Sequence, residues 1–208
     1  MQFLNSEKIL CISPHPDDVE LSMSGSIMKF SDTKFDILCL TSGSEGDSTS
    51  SNKRLDEVKN FWNGINNVKL IFSENKFSNE KSQEKWLNYI DQIINEDDYD
   101  VLICPSKYDS HFEHVLFYNV CLSATRDKPI SFLTYNTIST QRNWIPNIHV
   151  DITENFDTKW QRIVSSFISQ KKHAYLEEET FESFHTDFSS RKKGVKYTEH
   201  FCNEIIFS

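Results

Sequence analysis

KILCISPHPDDVELSM, residues 8–23, decides the fold. Its first six residues, Lys8 to Ser13, form a short apolar run of the kind that a strand covered on both faces requires. Pro14 and Pro16 then end that run and stiffen the turn around His15. Beyond the turn, Val19, Leu21, Met23, Ile27, Met28 and Phe30 suit a helix, with Asp17 and Asp18 at the end where the helix dipole favours acid. A buried strand, a polar turn and a helix make the first half of a βαβ unit.

The pattern recurs outward from this stretch. Phe35 to Leu40, Val68 to Phe72 and Val101 to Cys104 read as further buried strands. The runs Leu55–Trp62 and Trp86–Ile94 carry helical spacing between them, and Gly64 suits a helix end. A Gly/Ser-rich loop spans residues 41–51. Further on, Ile130 to Tyr135 and Ile148 to Asp151 read as strands and Trp160 to Ile168 as a helix, while the tail mixes charge with aromatics. The expected fold is α/β, a Rossmann-like, mostly parallel sheet with helices on both faces. One domain over residues 1–208 is expected, with no internal repeat and no linker.

In such a sheet ligands bind beyond the carboxyl ends of the strands. The His15 turn follows the first strand, the Gly/Ser loop the second, and a segment with His111 and His114 the fourth. Three polar segments far apart in sequence should therefore meet on one rim. His15 with Asp18, and His111 with His114, are each three residues apart at helix starts, so each pair shares a face. Catalytic zinc takes three ligands from His, Asp or Glu and keeps one position for water. Two ligands from the first segment and one from the second would build such an open site.

Composition narrows the function further. The net charge is -9, and Arg191-Lys192-Lys193 is the densest basic stretch, too short to track a phosphate backbone. Nucleic acid is not an expected partner. The five cysteines are odd in number and scattered, with no CxxC pair, which fits a reducing compartment and a cytoplasmic location. No apolar stretch is long enough for a membrane span.

The stretch Pro14-His15-Pro16-Asp17-Asp18-Val19-Glu20 resembles the HPDDxE signature of the PIG-L/LmbE-like zinc deacetylases, and Asp109-Ser110-His111-Phe112-Glu113-His114 resembles their DxHxDH motif. Thr41-Ser42-Gly43 with Glu45-Gly46, then Arg54 and Glu57, are similar to that family's TxGE…RxxE stretch. Val150-Asp151-Ile152, Ser169-Gln170 and Gly194 with Glu199 and Phe201 resemble its later landmarks. Two departures stand out. Ser22-Met23-Ser24-Gly25 keeps one glycine of a glycine-rich helix start, and Phe112 and Glu113 replace Pro and Asp.

The resemblance implies an N-deacetylase acting on an N-acetylated amino sugar or its conjugate. By the same resemblance His15, Asp18 and His114 would bind Zn2+, and Asp17 would be the general base. His111 would stabilise the oxyanion or protonate the leaving amine, a proton Asp17 could also give. Arg54 would contact substrate. Glu20 and Asp109 have two readings each, as groups orienting a ligand from behind or as helix-end residues. Hydrolysis of another acyl amide such as a formamide, hydrolysis of an ester, or sugar binding without turnover stay open, as does assembly into a homo-oligomer. His149, His173, His185 and His200 lack ligand-like spacing with the cluster. Arg142 is a further pocket candidate, and Trp144 reads as a packed loop residue or a sugar-stacking ring.

Overall fold

The computed structural model describes residues 6–43, 51–186 and 192–207. One sheet holds β1 (Lys8–Ser13), β2 (Lys34–Cys39), β3 (Val68–Phe72), β4 (Val101–Pro105), β5 (Ser131–Tyr135), β6 (Ile148–Asp151) and β7 (Thr198–Ile205). Their order across it is β3-β2-β1-β4-β5-β7-β6. The helices are α1 (Asp18–Lys29), α2 (Ser51–Trp62), α3 (Gln83–Glu96), α4 (Phe112–Ala124), α5 (Phe156–Ser166) and α6 (Glu178–Thr186).

Strands β1 to β5 pair in parallel. Strand β7 is the exception, running antiparallel to both β5 and β6. Alternation along β1 splits the core into two layers, since successive side chains of a strand leave opposite faces. Ile9 and Cys11 join the apolar cluster that includes Val19 and Met23 of α1, Phe61 of α2 and Ile163 of α5. Leu10 and Ile12 join a second cluster with Trp86 and Ile90 of α3 and Phe117 of α4. Helices therefore cover both faces, as the continuous apolar runs require.

The strand order reverses at β1. Its chain continues to β2 on one side, while β4 lies on the other. Because α1 packs on one face and α4 on the opposite one, the two turns leading into them diverge and leave a crevice above β1 and β4. The His15 turn and the His111 segment are the two walls of that crevice.

Strand β7 and helix α6 were not legible in the tail. The first half of β7 is buried yet polar, with Thr198, Glu199 and His200 nearly closed to solvent. Glu199 takes its partners from the helices α5 and α1. Lys159 of α5 donates from Nζ to Glu199 Oε1 at 2.6 Å, to the Leu21 carbonyl at 2.7 Å and to His185 Nε2 at 2.8 Å. The Glu199 carboxylate also accepts from the backbone N–H groups of Gly25 (2.8 Å) and Ser26 (2.6 Å) in the middle of α1. Gly25 leaves the room this needs, because a Cβ there would stand 2.9 Å from both Glu199 Oε1 and Ile152 Cδ1. The clasp fixes α1, whose first residue is Asp18.

Among the described residues no helix is long and apolar enough to cross a membrane. All five cysteines are free thiols, four of them buried.

Candidate functional site

The first wall of the crevice is set by β1 and the proline-flanked turn. Asp17 adopts φ 142° and ψ −17°, a backbone conformation that residues other than glycine rarely take. Its carbonyl still accepts the first helical hydrogen bond, from Leu21 N–H at 2.8 Å. The twist turns Asp17 and Asp18 different ways into one cavity of about 600 Å³, lined also by His15, Arg54, His111, Glu113 and His114. Arg54 holds the twist from α2. Its Nη2 donates to the Pro16 carbonyl at 2.6 Å and to Asp17 Oδ2 at 3.0 Å, and its Nη1 to the Gly43 carbonyl at 3.3 Å.

Three donor groups converge beside it. His15 Nδ1 lies 3.1 Å from Asp18 Oδ2, His114 Nε2 lies 3.3 Å from His15 Nδ1, and His114 Nε2 lies 3.3 Å from Asp18 Oδ1. Tetrahedral ligands on bonds of roughly 2.0–2.1 Å stand about 3.3–3.4 Å apart, so the spacing fits a small divalent ion. A wider trio, His15, His111 and His114, also offers donor atoms within 4.8 Å of one another and could hold a metal ion. The set containing Asp18 matches the tetrahedral edge more closely and supplies the negative charge that a cation needs.

The outer nitrogens are engaged as well. His114 Nδ1 lies 3.0 Å from Asp109 Oδ2, and Asp109 is itself clasped by the hydroxyls of Thr137 (2.5 Å) and Ser139 (2.6 Å). His15 Nε2 lies 2.6 Å from Glu113 Oε2. His111 caps α4, its backbone N–H bonded to Asp109 Oδ1 at 2.7 Å. Its ring centroid is 4.6 Å from that of His15 and 4.7 Å from that of His114, and its buried Nδ1 has no hydrogen-bond partner among the described residues.

Electrostatics agree with the geometry. Burial favours neutral groups, but the attraction of His114 and His15 outweighs it at Asp18 and holds that carboxyl well below the usual range. The same attraction overcomes burial to raise His15 to about 10 and His114 to about 9. Asp18 is thereby kept as a carboxylate between the two imidazoles. Burial and the neighbouring charges of His15 and His114 lower His111. At Asp17 burial prevails over the pull of Arg54 and raises the carboxyl to about 6.

The structure brings His15, Asp17, Asp18, Arg54, Asp109, His111 and His114 to one place. Of the two readings of Glu20 the ligand-orienting one fails, and the residue lies in the first turn of α1. It touches none of the candidate ligands, and its buried Oε1 accepts instead from Trp62 Nε1 at 2.5 Å. Its partner sits in the core, so the side chain belongs to the packing of α1 on α2. Glu57 also points away, accepting from the backbone N–H and the hydroxyl of Ser169 at 2.8 and 2.7 Å. Arg142 is exposed and does not line the cavity, and Trp144 is buried. His173 does line it, stacked on Tyr175 with centroids 5.1 Å apart. That neighbour arrives from the distant segment after α5, for which spacing gave no signal. Glu45 and Gly46 lie outside the described residues.

A doubly wound α/β sheet carrying a His/Asp/His donor set and a spare aspartate at its switch point is the class defined so far. The family model for the GlcNAc-PI de-N-acetylases, PIG-L, matches residues 10–125, from β1 to the end of α4. The chain belongs to that family. A diacetylchitobiose deacetylase of Thermococcus kodakarensis is 46% identical over 46 residues, a stretch spanning 21% of this chain and 17% of that relative's length. An N,N'-diacetylchitobiose deacetylase structure from Pyrococcus horikoshii superposes with a TM-score of 0.80 at 20% identity, covering 98% of this chain and 85% of the other. GalB of Pseudomonas putida, a 4-carboxy-2-hydroxymuconate hydratase, gives the same TM-score at 14% identity and 98% coverage of both chains. The fold is therefore shared by proteins named for different reactions, and the chemistry has to be argued from the side chains.

Proposed function

We propose that the protein is a zinc-dependent N-deacetylase that hydrolyses the acetamide of an N-acetylated amino sugar or its conjugate to a free amine and acetate. The convergence of His15 Nδ1, His114 Nε2 and the Asp18 carboxylate at separations of 3.1–3.3 Å carries the reading. Family membership and the names of the two deacetylases supply the substrate class.

His15, Asp18 and His114 would hold the ion. A bound zinc ion supplies Lewis-acid polarisation of the acyl carbonyl and a water of lowered pKa. Asp17, fixed by Arg54 next to the donor set, takes the proton of the attacking water, a task suited to a carboxylate whose affinity for protons is raised by burial. His111 stands against the rings of His15 and His114 and donates to the negative charge that develops on the former carbonyl oxygen. The departing nitrogen leaves as an amine once Asp17 or His111 returns a proton. A protein that only bound sugar would need neither the aspartate nor its guanidinium clamp.

The test has two measurements. Metal analysis should find one zinc per chain in the parent and a loss in His15→Ala and His114→Ala. Incubation with N-acetyl and N-formyl amino sugars should release acetate from the former, with turnover abolished in Asp17→Asn while zinc is retained. Full activity of Asp17→Asn would refute the base assignment. Formate release in place of acetate would move the reading to the related acyl amide.

A further inference from the structure

We propose that Glu113 is a positioning residue that fixes the His15 imidazole for metal binding by bridging it to the turn after β3. The proposal rests on the metal reading above. Glu113 lies in the first turn of α4, where an acidic side chain would ordinarily face the dipole end of its own helix. Here the carboxylate leaves its helix. Oε2 lies 2.6 Å from His15 Nε2, and Oε1 accepts the backbone N–H of Ser78 at 3.3 Å.

Each end of the bridge is held independently. The Ser78 carbonyl accepts from Trp86 Nε1 at 2.7 Å, and Trp86, in the first turn of α3, is fully buried. The His15 backbone N–H donates to Asp18 Oδ2 at 2.8 Å. A carboxylate can only accept, so Glu113 takes the hydrogen of His15 Nε2, while Nδ1, which faces Asp18 and His114, would give its lone pair to a bound ion. Asp109 does the reciprocal service for His114, taking Nδ1–H and freeing Nε2. With an ion bound, the two imidazoles would be held in opposite tautomers by carboxylates from one short segment, residues 109–113.

The length of the side chain matters. The similar family motif carries Asp at this position, one methylene shorter. Glu spans from α4 to both His15 and Ser78, and Asp could keep one contact only by giving up the other. The departure at residue 113 therefore carries a structural function of its own.

The experiment measures Zn2+ affinity by competition with a chromophoric chelator, in parent, Glu113→Ala, Glu113→Gln, Glu113→Asp and His15→Ala. Glu113→Ala should bind Zn2+ about 10–100-fold more weakly. Glu113→Gln, which can satisfy one of the two donors, should fall between parent and Ala, and Glu113→Asp should also lose affinity. In the zinc-loaded parent the His15 Nε2–H proton should appear downfield by NMR, and it should vanish in Glu113→Ala. A merely structural role would leave that signal in place. Parent-like affinity, within two-fold, in Glu113→Ala while His15→Ala loses zinc would overturn the proposal alone. Absence of zinc uptake by the parent would overturn the metal reading and the proposal with it. Should Glu113→Ala fail to fold, the isosteric Gln variant decides by the same two readouts.

Discussion

Replacing Lys159 by Met removes the cation of a clasp whose two side chains are wholly closed to solvent. Three contacts disappear, to Glu199 Oε1, the Leu21 carbonyl and His185 Nε2. Breaking a buried ion pair by deleting one partner costs about 3–5 kcal/mol, chiefly because the other charge is stranded. Glu199 is not entirely stranded, since the amides of Gly25 and Ser26 still donate to it. Methionine also fills the space of the lysine stem. The loss should therefore sit near the lower bound, about 3 kcal/mol, out of a total of roughly 5–15 kcal/mol for a domain. At about 2–4 °C per kcal/mol for this size, the melting temperature should fall by roughly 6–12 °C. Glu199→Leu should cost more, because it strands the ammonium and leaves two helix amides without their acceptor. The Lys159→Met/Glu199→Leu double variant should lose less than the sum of the singles. Urea titration followed by tryptophan fluorescence reads all three. A single-variant loss below about 1 kcal/mol, or strict additivity in the double, would refute the view that this pair anchors α1.

Gly25→Ala tests the same joint from the other side. Alanine is the better helix former by about 1 kcal/mol, yet a Cβ would stand 2.9 Å from Glu199 Oε1, so a net loss of about 1–3 kcal/mol is expected; a variant more stable than the parent would contradict the packing. Arg54→Lys should lower kcat about 100-fold with stability reduced by a few kcal/mol at most, because one ammonium cannot span Pro16, Asp17 and Gly43 together; unchanged kcat would remove Arg54 from the positioning of Asp17. Burial, with the charges of His149 and Lys159, depresses His200 to about 4. The unfolded chain then binds a proton that the folded one refuses, so stability should decline as pH falls from about 6.5 to 4, by up to about 3 kcal/mol from this residue, and the acid limb of the urea midpoint should flatten in His200→Asn. A limb unchanged by that substitution would contradict the assignment.

Legibility of the sequence followed how directly each element shows its environment. Strands β1 to β4 are apolar because both faces are covered, and their runs can be read without a partner. Helix α1 is different. Nearly all of it is buried, but it carries Asp18, Glu20, Ser22, Ser24 and Ser26, so only its apolar half announces a core position. Strand β7, TEHFCNEI, hides for the same reason, because Glu199 and His200 look solvated until Lys159 is placed against them. Lys159 itself reads as the wet side of α5. Pairing of buried charge depends on tertiary contacts between residues some forty positions apart, and no local period encodes it. At the site, ligand types and strand-end placement were visible locally. The Glu113 bridge to Ser78 and the arrival of His173 from beyond α5 were not.

The twist at Asp17 joins the fold to the chemistry. A non-glycine residue at φ 142° costs on the order of 1–3 kcal/mol and persists only where its surroundings over-determine it. Here they do so four times over. Pro14 and Pro16 restrict the approach, Arg54 bonds both the Pro16 carbonyl and the Asp17 carboxylate, and the Asp17 carbonyl starts α1. A regular helical start would point residues 17 and 18 about 100° apart around the axis of one helix, as its 3.6-residue turn dictates. The strained residue instead stands outside the helix and sends its carboxylate to the guanidinium, while Asp18, the first helical residue, turns to His15 and His114. Two adjacent carboxylates thereby enter unlike environments, one accepting charge from two imidazoles and the other raised toward neutrality by burial. Pairs of titratable groups pushed apart in this way are how one site holds a cation and moves a proton at the same pH. The strain is what separates them, and the clasp deep in α1 keeps the helix from relaxing it.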